Sequence, residues 1–107
     1  MDKIIINIAK QFSDAPGGRF IIEGPFSGED FRNKFLVQHF EKSTDNYPIE
    51  ILLDGTFGFA PSFLEEAFGG LARKFGKDRV QKRLIFISAE NSKLIPEILS
   101  YVDRAQE

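Results

Sequence analysis

At 107 residues with a formal net charge of −2, the chain has room for one core and carries no overall field that would draw it onto nucleic acid or anionic lipid. The absence of cysteine removes disulfide frameworks, thiolate nucleophiles and cysteine metal sites, and a single histidine leaves little for a transition-metal centre. An apolar fraction of 42%, with twelve phenylalanines and no tryptophan, describes a globular domain with a bulky interior rather than a disordered chain.

The amino-terminal stretch from Met1 to Phe12 has only a short apolar run and no small-residue cleavage pattern. No segment reaches the roughly 20 apolar residues of a membrane span, so a cytoplasmic protein is expected. Within that stretch Lys3 to Ala9 reads as a strand, because Ile4, Ile5, Ile6 and Ile8 are β-branched. After a polar passage with Pro16, Gly17 and Gly18, Arg19 to Glu23 alternates in character, which predicts a second strand and a hairpin.

Ser27 marks the start of a helix whose apolar stripe is Phe31, Phe35, Leu36 and Phe40, fraying near Ser43. Ile49 to Leu53 predicts a central strand approached through Pro48. Ser62, followed by Glu65 in an S-x-x-E pattern, predicts the cap of a second helix running to Phe75, with Gly76 ending it. Leu84 to Ala89 is a further strand, and a last helix carries Ile98, Leu99 and Val102, with Ile95 as cap and Pro96 as first helical residue. The order strand, strand, helix, strand, helix, strand, helix predicts an α/β fold in which a four-stranded mixed sheet packs with three helices, all in one domain over 1–107.

The residues able to carry chemistry gather around the central strand. Asp54 closes it at its carboxyl end, the rim where ligands of open α/β sheets commonly bind. Phe57 and Phe59 follow on the rim beside Gly55 and Gly58, whose spacing is not that of a phosphate loop. Ser62 is explained by capping alone, with modification as its second reading, and Glu65 and Glu66 have no metal-ligand spacing. Gly69 and Gly70 cost helix stability, so close approach of another element is the expected compensation. His39 reads as a boundary residue beside the apolar stripe, and Arg32 as the partner of a surface acid or the holder of an anion. The segment Arg73, Lys74, Lys77, Arg79, Lys82, Arg83 reads first as a solvated approach to the last strand and second as a contact for nucleic acid or an acidic protein.

Two segments, SGEDFRNKFLVQHFE at Ser27 to Glu41 and LLDGTFGFAPSFLEEAFGG at Leu52 to Gly70, resemble the STAS-like domain family of bacterial proteins of unknown function, distantly similar to anti-sigma-factor antagonist (STAS) domains. The resemblance implies a signalling or regulatory module that binds a protein partner of the histidine-kinase ATPase type and is switched by phosphorylation at the start of the helix after the central strand. By position Ser62 is similar to that phosphoacceptor and Asp54 to the acidic residue ending the strand. The loop reads Ala60, Pro61, Ser62, Phe63 where classical members read approximately D-S-S-G.

The leading expectation is therefore a non-catalytic module without cofactor, whose partner-binding residues are Asp54, Phe57, Phe59, Glu65, Glu66 and Arg32. A homodimer through exposed phenylalanine is a further option. The alternatives are a nucleic-acid-associated domain using the basic segment, the less favoured of the macromolecular partners, and a small enzyme acting at the Asp54 rim.

Overall fold

The computed structural model describes residues 3–42 and 46–106. Its sheet has three strands, all parallel, in the order β1 (Ile4–Asn7), β2 (Ile49–Leu52), β3 (Leu84–Ile87). Ile6 pairs with Ile51 and Ile51 with Phe86, so β2 is central as its apolar composition predicts. The four-stranded mixed sheet expected from alternation is not formed.

The missing strand is Arg19 to Glu23. Ile21–Glu23 is instead a single 3₁₀ turn, with Ile22 almost wholly in solvent. The Glu23 carboxylate accepts from the Phe20 amide at 2.8 Å, and the Glu29 carboxylate accepts from the Ile21 amide at 2.9 Å. Those local bonds occupy amides that a sheet ladder would need, and backbone groups demand one partner or the other.

β1 is also shorter than expected, because Asn7 caps a helical turn, α1 (Ile8–Gln11), by accepting from the Lys10 amide at 3.0 Å. Two longer helical stretches follow. Residues 28–39 run as α2 (Gly28–Phe31), a π-helical segment (Arg32–Leu36) and a 3₁₀ turn (Val37–His39). The fraying expected at Ser43 lies outside the described residues. Residues 61–75 run as α3 (Pro61–Leu64), a second π segment (Glu65–Gly69) and α4 (Gly70–Phe75).

Ser62 is not the cap of that second stretch. Ala60 takes the cap position and Pro61 the first helical one, where a missing N–H costs nothing and the ring presets the dihedral. The basic approach to β3 is not a loop either, since Gly76, at φ 97°, lets the chain turn into α5 (Lys77–Arg83). In α6 (Leu94–Asp103) the cap is Lys93 rather than Ile95, and Pro96 falls in the first turn, where it removes no helical hydrogen bond.

The core lies on one face of the sheet. Ile6, Ile49 and Ile51 meet Phe31, Phe40, Phe63, Phe68 and Leu71 from the helices, all buried. The phenylalanines touch in series: Phe31 lies 5.3 Å from Phe12 and from Phe35, and 6.1 Å from Phe68, which meets Phe86 edge-on at 5.0 Å. On the other face Ile5, Ile85 and Ile87 remain exposed, which is unusual for parallel strands. Phe31→Ala is therefore expected to cost about 3–5 kcal/mol in urea unfolding, because it empties the centre of the ring cluster. Ile85→Thr, on the open face, is expected to cost under about 1 kcal/mol.

Candidate functional site

The rim at the carboxyl end of the sheet is built by reciprocal ties between the segments that leave β2 and β3. The Asp54 carboxylate accepts from the amides of Ala89 at 2.8 Å and Glu90 at 3.0 Å and from the Ser88 hydroxyl at 3.1 Å. Glu90 in turn accepts from the Gly55 amide at 2.9 Å. The backbone donors of Ala89 and Glu90 hold the Asp54 carboxyl below its ordinary pKa, which makes it a fixed anion and a poor proton acceptor. Its role in this geometry is to join the two loops.

Beside this tie a cleft of about 410 Å³ is lined by Asp54, Phe57, Phe59, Asn91, Leu94 and Glu97. Phe57 stands on its edge with 88% of its surface in solvent. Phe59 is half-buried and packs on Phe63 with ring centres 5.7 Å apart. Ser62, half-buried at the second helical position, contributes its hydroxyl to no hydrogen bond among the described residues.

One turn further on, Glu65 and Glu66 enter an ion-pair network. Arg32 donates to the Glu66 carboxylate and to its backbone carbonyl, each at 2.6 Å. Arg73 and Arg19 both reach Glu65 at 2.5 Å, and they approach Glu66 at 3.6 and 3.5 Å. Glu66 is only 8% exposed, so its charge depends on these partners. The glycines make the space: a Cβ on Gly70 would strike the Arg32 guanidinium, and one on Gly69 would come within 2.7 Å of the Glu65 carboxylate. Gly28 does the same at the other contact, where a Cβ would collide with the Phe63 carbonyl. The close approach expected at Gly69 and Gly70 is thus to charged side chains.

Ser27, buried, caps α2 as expected by accepting from the Asp30 amide at 3.0 Å. The structure therefore brings Arg32, Glu65 and Glu66 together, but turns them toward one another. Asp54, Phe57 and Phe59 share the separate rim. Arg19, the first residue of the expected second strand, is not a candidate from the sequence; its partners lie 46 and 47 residues away, and no local pattern signals them.

The basic segment is largely used inside the fold. Arg73 is spent on Glu65. Arg79 donates to the Phe40 carbonyl at 2.8 Å. Arg83, 4% exposed, donates to the carbonyls of His39 and Tyr47 and lies between the rings of Phe40 and Tyr47, at 4.6 and 4.7 Å from their centres. Lys77 pairs with Asp103 at 3.8 Å, while Lys74 and Lys82 are exposed. His39 is half-buried with its ring nitrogen 3.1 Å from the Tyr47 hydroxyl, a boundary position as expected.

These ties generate two expectations. Arg32→Ala leaves Glu66 short of its main donor and should cost about 2–3 kcal/mol in chemical unfolding, with Arg19 and Arg73 limiting the loss. The second concerns acid. Hydrogen bonds from Arg73 and then Arg19 lower the Glu65 pKa, and the Ala89 and Glu90 amides lower that of Asp54. Groups with depressed folded values contribute stability that is present above their unfolded values, about pH 4–4.5, and is lost as pH falls through the folded ones. Arg73→Gln returns Glu65 toward its ordinary value and should move the acid-unfolding midpoint to higher pH, as followed by circular dichroism, with the Glu65 carboxyl carbon shift reporting the titration itself.

Among the described residues no group of three or more His, Cys, Asp or Glu is placed to hold a metal ion, and no helix is long and apolar enough to cross a membrane. No curated protein and no solved structure matches the chain. The profile of one family, the STAS-like domain of unknown function (DUF4325), matches residues 27–94, which span the capped start of α2, both π segments, the rim and the basic helix. By that match over more than half of its length, the chain belongs to the family of STAS-like domains of unknown function.

Proposed function

We propose that the domain is a regulatory module that binds a protein partner, an ATPase of the histidine-kinase type, through the rim formed by Asp54, Phe57, Phe59 and the start of the helix at Ser62. The observation that carries the reading is a phenylalanine 88% exposed on the rim, followed in the chain by an uncommitted hydroxyl at the second position of the next helix. An aromatic side chain of that exposure is held out at a cost in solvation and is the kind of anchor that fills a partner's pocket. Ser62 is the switch in this reading. Its hydroxyl caps nothing, so modifying it sacrifices no helix cap, and a phosphate would meet the positive end of the helix. The nearby charges of Glu65 and Glu66 are already matched by Arg19, Arg32 and Arg73, which reduces the repulsion a phosphate would face.

The test uses the full chain and a purified histidine-kinase-type ATPase from the same cell, titrated by calorimetry with and without ATP and Mg²⁺. Phe57→Ala should weaken binding by ten-fold or more, which is about 1.4 kcal/mol, and Ser62→Glu should weaken it while leaving the unfolding midpoint unchanged. Mass measurement after incubation with ATP should place one phosphate on Ser62 and none on the Ser62→Ala chain. Binding unchanged in Phe57→Ala would remove the rim from the reading, and absence of phosphate on Ser62 would remove the switch.

A further inference from the structure

The cleft beside the Asp54 tie presents two kinds of surface. Leu53, Phe57, Phe59 and Leu94 give it apolar walls, Asp54, Glu90 and Glu97 give it three carboxylates, and none of its described lining residues is Lys, Arg or His. Its volume of about 410 Å³ falls in the range of ligand pockets. The carboxylates are held by neutral donors alone: Asp54 by the Ser88 hydroxyl and the Ala89 and Glu90 amides, Glu90 by the Gly55 amide at 2.9 Å, and Glu97 by the Tyr101 hydroxyl at 2.8 Å. Among the described residues none of these three forms an ion pair, whereas Glu65 and Glu66 share three arginines. One carboxylate oxygen of Glu90 and one of Glu97 accept from no donor among the described residues. Backbone donors at the same edge are engaged: the Phe57 amide on the Asp14 carbonyl at 2.8 Å, the Gly58 amide on the Thr56 hydroxyl at 3.3 Å and the Asn91 amide on the Ser88 hydroxyl at 3.1 Å. The cleft thus offers acceptors and negative charge between apolar walls, with no cation of its own to balance them.

We infer that this cleft is a socket for an arginine side chain of the bound protein partner, its methylenes lying along Phe57, Phe59 and Leu94 and its guanidinium meeting the carboxylates of Glu90 and Glu97. The inference rests on the reading of the rim as a protein-binding surface and adds the chemistry of what enters it. Charge complementarity selects the guest. Carboxylate oxygens without donors call for positively charged donors, and charge-assisted bonds of that kind are stronger than neutral ones. Apolar walls call for an aliphatic stem that is buried while its head stays polar. A guanidinium is planar, weakly hydrated and carries several donors, so it serves more than one oxygen and is removed from water more readily than an ammonium. An anionic guest, phosphate included, would instead meet three like charges.

The experiment titrates the full chain, isotope-labelled for amide NMR, with N-acetylarginine methylamide, with its citrulline counterpart, which keeps the shape but replaces the guanidinium by a neutral urea, and with its glutamate counterpart. The arginine probe should shift the amide signals of Thr56, Gly58, Glu90 and Asn91 to saturation, the citrulline probe should bind about five-fold or more weakly, and the glutamate probe should leave the signals in place. Glu97→Gln keeps an acceptor for the Tyr101 hydroxyl and Glu90→Gln keeps one for the Gly55 amide. Each should weaken arginine binding by a similar factor without lowering the urea-unfolding midpoint. In calorimetry with the ATPase, the double variant Glu90→Gln/Glu97→Gln should weaken binding by about ten-fold or more and flatten its salt dependence. Equal affinity for arginine and citrulline, a response that does not saturate, shifts centred outside the cleft, or an ATPase affinity untouched by the double variant would each overturn the inference. The two readings fail separately. Weakening by Phe57→Ala but not by the double variant would leave the rim standing and remove the socket; a saturable, charge-dependent arginine response without any binding of the ATPase would remove that partner and keep the socket.

Discussion

The charge network between residues 28–39 and 61–75 is the constraint that the rest of the structure accommodates. Glu66 is nearly buried, and a carboxylate so placed needs its donors: Arg32 supplies two bonds to the same residue, at 2.6 Å each. The backbone is shaped around this need. Arg32 opens one π segment and Glu65 opens the other, and the wider turn shows in the Gly70 amide bonding to the Glu65 carbonyl five residues back. Gly69 and Gly70 each cost about 0.5–1 kcal/mol in a helix; a Cβ on Gly70 would displace the Arg32 guanidinium and one on Gly69 the Glu65 carboxylate. Gly28 lets the start of α2 rest against the Phe63 backbone, so the two stretches meet closely at both ends of the contact.

That constraint also decides which residues remain for recognition. Arg19, Arg32 and Arg73, ordinarily first candidates on a binding surface, are here matched to Glu65 and Glu66. Asp54 is satisfied by three donors from the segment after β3. What projects from the rim and from the 3₁₀ turn is instead apolar, in Phe57 and Ile22. A partner would therefore be held mainly by burial, worth roughly 25 cal/mol for each Å² removed from water, with the charges of the network acting through the shape they impose.

Much of this architecture was legible because its signals are local. The β-branched runs at Ile4 to Ile6, Ile49 to Leu52 and Leu84 to Ile87 all became strands, and the apolar stripe Phe31, Phe35, Leu36, Phe40 faced the core or its edge. Arg19 to Glu23 misled because alternation describes side chains, whereas its fate was set by two glutamates that took its amides. Ser62 was displaced as cap by a proline one residue earlier, a local signal outweighed by the capping-box pattern. The basic segment looked solvated because a run of charge carries no mark of burial; Arg83 is enclosed by Phe40 and Tyr47, 43 and 36 residues away in the chain. At the site, the exposure of Phe57 was foreseeable from its glycine-flanked loop. The donors to Asp54, 34 to 36 residues distant, were not.

Arg19 ties the segment that precedes α2 to the second helical stretch. It precedes the 3₁₀ turn Ile21–Glu23, yet its shortest ion pair is with Glu65, in the helical stretch 61–75. Residues three apart on a helix share a face, with Cβ atoms about 5–6 Å apart, so a phosphate on Ser62 would stand next to Glu65 and offer the same guanidinium a doubly charged alternative. Arg73 can hold Glu65 by itself through its 2.5 Å bond, so releasing Arg19 does not strand the carboxylate.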